Sequence, residues 1–157
     1  MGTVLRAKKR IDKELSRFHE DITNAQGNLI IESATADVWV ISVRGAEGTL
    51  YAGEEFKLQV QFTDQYPIES PIVKFVGTPA QVPHHEHVYS NGHICLNILG
   101  DDWSPALTVH SVCLSILSML SSATERKRPP DDSTYSRSKG STANPKNTKF
   151  MYHDDSV

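Results

Sequence analysis

An α+β fold is what this 157-residue sequence predicts, on three observations: a helical apolar period in the first twenty residues, an alternation of period two near the middle, and a second helical period beginning at Thr108. In the first segment Val4, Lys8 (through its alkyl stem), Ile11, Leu15 and Phe18 recur at spacings of three and four, with Arg6, Lys9, Arg10 and Lys13 between them. This predicts an amphipathic helix whose basic outer face is either simply solvated or a docking surface. Beyond a polar loop around residues 24–28, Asp37 to Val43 is β-branched and aromatic, and Arg44-Gly-Ala-Glu-Gly48 closes it with turn residues. Phe56, Leu58, Val60 and Phe62 then alternate with Lys57, Gln59 and Gln61, the pattern of a strand buried on one side. Pro67 and Pro71 stiffen the connection to a short strand, Ile72 to Val76. Short turns between successive strands predict an antiparallel meander. Finally Val109, Val112, Cys113, Ile116, Leu117 and Leu120 follow the i, i+3, i+4 rule behind Thr108 as N-cap, which predicts a central buried helix. Cys113 lies on its apolar stripe and reads as core.

The chain length suits one domain, and 38% hydrophobic with 22% charged residues is the composition of a soluble globular protein. A net charge of −3 offers no bulk attraction to nucleic acid or to anionic membranes, so neither is an expected partner. No stretch approaches eighteen apolar residues, and the N-terminus is charged where a signal peptide needs an apolar region, so a cytoplasmic or nuclear location is expected. Gly2 is not followed by Ser or Thr at position 6, where Arg6 stands, so lipidation is not expected. From Thr124 the composition turns polar until Phe150, which predicts a core ending near residue 130 and a flexible tail over 131–157.

The chemistry concentrates between His84 and Leu99, where four histidines, Glu86 and Cys95 fall within twelve residues. A zinc site fails on spacing: the third residue after His85-Glu86 is Tyr89, no Cys-x-x-Cys pair exists, and the surroundings read as a loop. No metal is expected. A papain-like centre fails as well, because Ile94-Cys95-Leu96 does not open a helix. On composition alone Cys95 is one more small apolar residue among Ile94, Leu96, Ile98 and Leu99.

A set of motifs in fixed order reads otherwise. Tyr51-x-Gly53, Phe56-x-Leu58, Tyr66-Pro67-x-x-x-Pro71, Gly92-x-Ile94-Cys95-Leu96-x-Ile98-Leu99, Trp103-Ser104-Pro105-Ala106-Leu107-Thr108 and Pro130-Asp131-Asp132 together resemble the ubiquitin-conjugating enzyme family over about the first 130 residues. The W subtype is the most similar, both in His87-Val-Tyr-Ser-Asn-Gly-His-Ile-Cys-Leu96 and in the tail elements Lys146-Asn-Thr-Lys149 and Tyr152-His-Asp-Asp155. The resemblance implies the family's α+β fold: an N-terminal helix, a four-stranded antiparallel meander, a central helix, and a short or disordered tail in place of the two further helices common in relatives. It implies that Cys95 accepts ubiquitin as a thioester from the activating enzyme and passes it to an amine with a RING or U-box ligase. ATP and magnesium are then used by the activating enzyme, and this chain needs no cofactor. The family's His-Pro-Asn becomes His85-Glu86-His87 here, so His87 is either a replacement oxyanion donor or a plain loop residue. Asp132 matches the acidic position beside the site, as an amine-orienting carboxylate or a turn residue, and Asn97 falls where many relatives carry Asp. Lys9, Arg10, Ile68, Ser104, Pro105 and Ala106 match the ligase-contact surface. Similarity to the W subtype implies transfer to flexible substrate N-termini. A non-catalytic binder of ubiquitin or a ligase, or a carrier of another ubiquitin-like modifier, are the alternatives.

Overall fold

In the computed structural model, residues 2–21 and 27–139 are described. Helix α1 spans Gly2–Glu20 and buries Ala7, Ile11, Glu14 and Phe18. Lys8, expected to lend its stem to that stripe, instead points to solvent and pairs with Asp12 at 3.0 Å, because Ala7 takes the buried position one residue earlier.

Strands β1 (Leu29–Ala34), β2 (Val38–Arg44), β3 (Glu55–Gln61) and β4 (Ile72–Val76) form one antiparallel sheet in sequential order. Register stacks Val43 beside Phe56, Ile41 beside Leu58 and Phe75, and Trp39 beside Val60 and Val73, so one face is continuously apolar. Strand β1 was expected only through the family resemblance. Its apolar run stops after Leu29-Ile30-Ile31, its register shifts between Ile31 and Ser33, and Ile30 is half exposed, so it carries little alternation to read.

Helix α2 (Val109–Ser121) lies in the core cluster with that face, burying Val112, Cys113, Ile116, Met119 and Leu120. Thr108 caps it in a reciprocal box with Ser111. Glu14 of α1 reaches the same end: Val109 N–H donates to Glu14 Oε1 at 2.8 Å, while Tyr66 Oη and Arg10 Nε donate to Oε2. One buried carboxylate therefore joins α1, the N-terminus of α2 and the Tyr66-Pro67 loop.

Asp132–Lys139 forms a helix, α3, pinned by one aromatic residue: Tyr135 is buried and stacks on Tyr89 with ring centroids 3.9 Å apart. A single anchor in an otherwise polar segment leaves no periodic trace. Residues 140–157, including Lys146–Lys149 and Tyr152–Asp155 of the tail motif, lie outside the described residues.

Candidate active site

The loop that carries Cys95 is a small hairpin. Val88 bridges Ile94, Cys95 N–H donates to the His87 carbonyl at 2.8 Å, and Tyr89 N–H donates to the His93 carbonyl at 2.9 Å. Side chains alternate faces along such a ladder. Val88 and Ile94 enter the core, and His87, Tyr89, His93 and Cys95 share the opposite face. Gly92 docks the turn on β4: its carbonyl accepts from Phe75 N–H at 2.9 Å, its φ is +93°, and a Cβ there would sit 1.9 Å from Phe75 O.

The segment ending in α3 fastens this hairpin from outside. The Arg128 guanidinium donates to the carbonyls of Pro79 (2.8 Å), Val82 (3.4 Å), Pro83 (2.5 Å) and Val88 (3.2 Å), gathering the approach to the hairpin on one side chain. Tyr89 Oη donates to Asp131 at 3.0 and 3.3 Å, Ser90 N–H to Asp132 Oδ1 at 2.7 Å, and Tyr135 Oη lies 2.5 Å from His93 Nδ1. Burial, the Asp131 hydrogen bond and the neighbouring Cys95 all push the Tyr89 hydroxyl above its ordinary range. Sequence reasoning assigned no role to Arg128, Tyr89 or Tyr135; the one signal for Tyr135 was a lone aromatic in an otherwise polar segment, and Arg128 did not stand out from Arg126 and Arg137.

His85 and His87 sit beneath. His85 Nε2 donates to the Met119 carbonyl (3.1 Å) and its Nδ1 accepts from His87 N–H (3.0 Å), a pattern that requires the neutral ring. Desolvation lowers its pKa to about 4. His87, the candidate oxyanion donor, is the cross-strand neighbour of Cys95, with its ring buried 5.4 Å from that of His85. Both rings line a polar cavity of about 270 Å³ at the end of α2, where Glu86 finds Lys127 at 3.2 Å. Asn97, two residues past Cys95, opens a short 3-10 turn and donates to Asp102 Oδ2 at 2.6 Å. Asp132, the candidate amine-orienting residue, accepts from Ser90 N–H and the Ser136 hydroxyl at its Oδ1. Among the described residues no group of three His, Cys, Asp or Glu side chains is placed to hold a metal ion.

Of the two cysteines, Cys113 is fully enclosed and burial pushes its thiol up to about 12, whereas Cys95 is 7% exposed at the hairpin's edge. A thiol becomes a nucleophile as thiolate, so Cys113 is inert.

A second constellation lies on the far side of the 3-10 turn. Arg10 donates to the carbonyls of Pro105 (2.8 Å) and Leu107 (2.9 Å), and Trp103 Nε1 donates to the Pro67 carbonyl at 2.9 Å. Lys9, Ile68, Ser104, Pro105 and Ala106 are exposed, and Ile68 stands out at 72%. Arg10 is half buried and holds the 104–107 loop against α1.

A family model described as "Ubiquitin-conjugating enzyme" matches residues 10–151. The chain is 55% identical over 150 residues to the "Probable ubiquitin-conjugating enzyme E2 W" of Dictyostelium discoideum, covering 95% of this chain and 96% of that one. It is 53% identical to the "Ubiquitin-conjugating enzyme E2 W" of Caenorhabditis elegans, covering 96% and 97%. Among solved structures, ubiquitin-conjugating enzyme E2 UbcA1 from Agrocybe aegerita superposes with a TM-score of 0.81 at 39% identity, over 89% of this chain and 98% of that one.

Proposed function

The chain belongs to the ubiquitin-conjugating enzyme family, and from that premise we propose that Cys95 carries ubiquitin as a thioester and delivers it mainly to the α-amino groups of substrate N-termini. The observation that carries the reading is the contrast between the two cysteines: Cys95 sits at the edge of a hairpin held from three sides, and Cys113 is sealed in the core. In the loading step the Cys95 thiolate attacks the thioester of the activating enzyme; a new C–S bond forms, the old one breaks, and the partner's cysteine leaves as thiolate. Exchange between two thioesters conserves acyl reactivity, so Cys95 needs no adjacent general base and the chain no nucleotide or metal of its own.

Transfer is harder, because attack by an amine passes through an oxyanion that wants a positioned donor. The Asn of the family's His-Pro-Asn is replaced by His87, and losing one such donor costs on the order of 10²–10³ in rate. An easier nucleophile compensates. With reference pKa values of ~7.8 and ~10.4, roughly a quarter of α-amino groups but only about 0.1% of lysines are neutral near pH ~7.4. That difference in availability favours N-termini, and likeness to relatives named E2 W supports the same preference. Ligase docking is assigned to the surface of Lys9, Arg10, Ile68 and Ser104–Ala106, where an exposed isoleucine on a proline-stiffened loop suits an apolar groove.

The test is a single-turnover chase of the charged protein into two peptides, one with a free N-terminus and no lysine, the other N-acetylated with one lysine. Faster transfer to the first is expected, by about tenfold or more. Equal rates, or faster transfer to lysine, would remove the N-terminal preference and leave the carrier role standing.

A further inference from the structure

We propose that Lys127 and Arg128 clamp the turn of residues 85–88 and so hold a thioester on Cys95 in position for transfer, doing with side chains what a proline at position 86 would do through the backbone; this rests on the thioester reading above. The turn is closed by Val88 N–H, which donates to the His85 carbonyl at 3.0 Å, so Glu86 occupies its second position. Proline is favoured at that position in the common turn types, because its ring presets φ at about −65°. Glutamate leaves φ free. The bridge between His85 and Val88 gives His85 the extended backbone that a following proline demands, so the turn is shaped for the residue it lacks.

Stiffness is supplied from outside the turn. The Arg128 guanidinium donates to the carbonyls of Pro83 (2.5 Å) and Val88 (3.2 Å), which flank the turn, and to those of Pro79 (2.8 Å) and Val82 (3.4 Å) before it. The Tyr51 hydroxyl donates to the His84 carbonyl. Only a rigid planar fork serves so many acceptors at once, and an ammonium does not replace it. Lys127 adds a second restraint, its Nζ lying 3.2 Å from Glu86 Oε2 and 3.1 Å from Glu125 Oε1; solvent screens these half-exposed pairs and makes them the weaker part of the clamp. The turn reaches the cysteine through one residue. His87 is buried, its N–H donates to His85 Nδ1 at 3.0 Å, and its carbonyl accepts from Cys95 N–H at 2.8 Å. The Cys95 backbone is therefore bonded to the third position of the turn, and the orientation of an acyl group on its sulfur follows how firmly that turn is held. Lys127 and Arg128 are positioning residues that act through the turn.

The experiment isolates the ubiquitin adduct of the full chain and chases it into increasing amounts of a lysine-free peptide with a free N-terminus, which gives kcat and KM separately. Arg128→Lys is expected to lower kcat about tenfold and to leave KM for the peptide within about twofold, because the clamp orients the thioester and does not bind the acceptor. Adding Glu86→Pro to Arg128→Lys is expected to raise kcat again by about threefold or more, a larger gain than the same change gives in the wild-type background. Adding Glu86→Ala, which removes the carboxylate without stiffening the turn, is expected to recover nothing. Lys127→Ala repeats the test at an exposed site where folding is not at risk, with a loss of about two- to threefold that Glu86→Pro removes. An undiminished kcat in both Arg128→Lys and Lys127→Ala, a loss that Glu86→Pro does not relieve, or equal relief by Glu86→Ala would each overturn the proposal. If the wild type forms no adduct at all, the thioester reading fails and takes this proposal with it; an adduct whose slowed variants are not rescued by proline removes this proposal alone.

Discussion

Burial keeps the His85 imidazole neutral and gives the protein a pH-dependent weakness. Its pKa falls from 6.5 to about 4, with desolvation the main cause, and the ring is 3% exposed. The unfolded chain takes up this proton near pH 6.5 and the folded one near 4, so the contribution is complete above 6.5 and is lost as pH falls toward 4. A loss on the order of 3 kcal/mol is expected across that window, read from urea midpoints, and His85→Gln should flatten the slope. An unchanged slope in that variant would assign the effect elsewhere. Cysteine chemistry divides just as sharply. Iodoacetamide is expected to label Cys95 in the native protein and Cys113 only after unfolding, as followed by mass spectrometry. At this scale the sequence was a partial guide. The histidine and cysteine cluster stood out as a motif, but nothing in it told that His85 spends both ring nitrogens on backbone groups, since Met119 lies 34 residues away.

Elements meet at two junctions where a single side chain does the joining. Glu14 satisfies Val109 N–H at the start of α2 and also takes the Tyr66 hydroxyl and Arg10. Glu14→Ala strands those donors and is expected to cost about 2–4 kcal/mol in chemical denaturation; a loss below about 1 kcal/mol would show that water replaces the carboxylate as acceptor. Arg128 is the counterpart at the hairpin. Arg128→Lys cannot span four carbonyls, and hydrogen exchange is expected to quicken across residues 79–95 while α1 is unaffected. Helix α2 and strands β2 to β4 were legible because their periods are undiluted and their apolar residues all face one core. Strand β1 and helix α3 were not, the first being a bulged edge and the second depending on one ring stacked on a residue 46 positions earlier.

The sheet and helices α1 to α3 present two surfaces, one bearing Cys95 and the other Ile68. Their separation makes a clean expectation: Ile68→Ala leaves folding stability within about 0.5 kcal/mol and slows only ligase-stimulated discharge, whereas slower unassisted discharge would argue that the surfaces are not independent. Motif order named Cys95, Trp103 to Ala106 and Asp131-Asp132 as candidates from the sequence alone. The geometry was not legible, because the partners of Asp131 and Asp132 depend on which atoms of the distant hairpin each carboxylate meets. The carrier role of Cys95 underlies every functional statement, and a gel decides it. Wild type, Cys95→Ala and Cys113→Ala are each incubated with ubiquitin, activating enzyme and Mg-ATP, and run with and without reductant. A reductant-sensitive adduct in wild type and Cys113→Ala, absent from Cys95→Ala, is the expected result. No adduct in the wild type, or one that survives in Cys95→Ala, would contradict it.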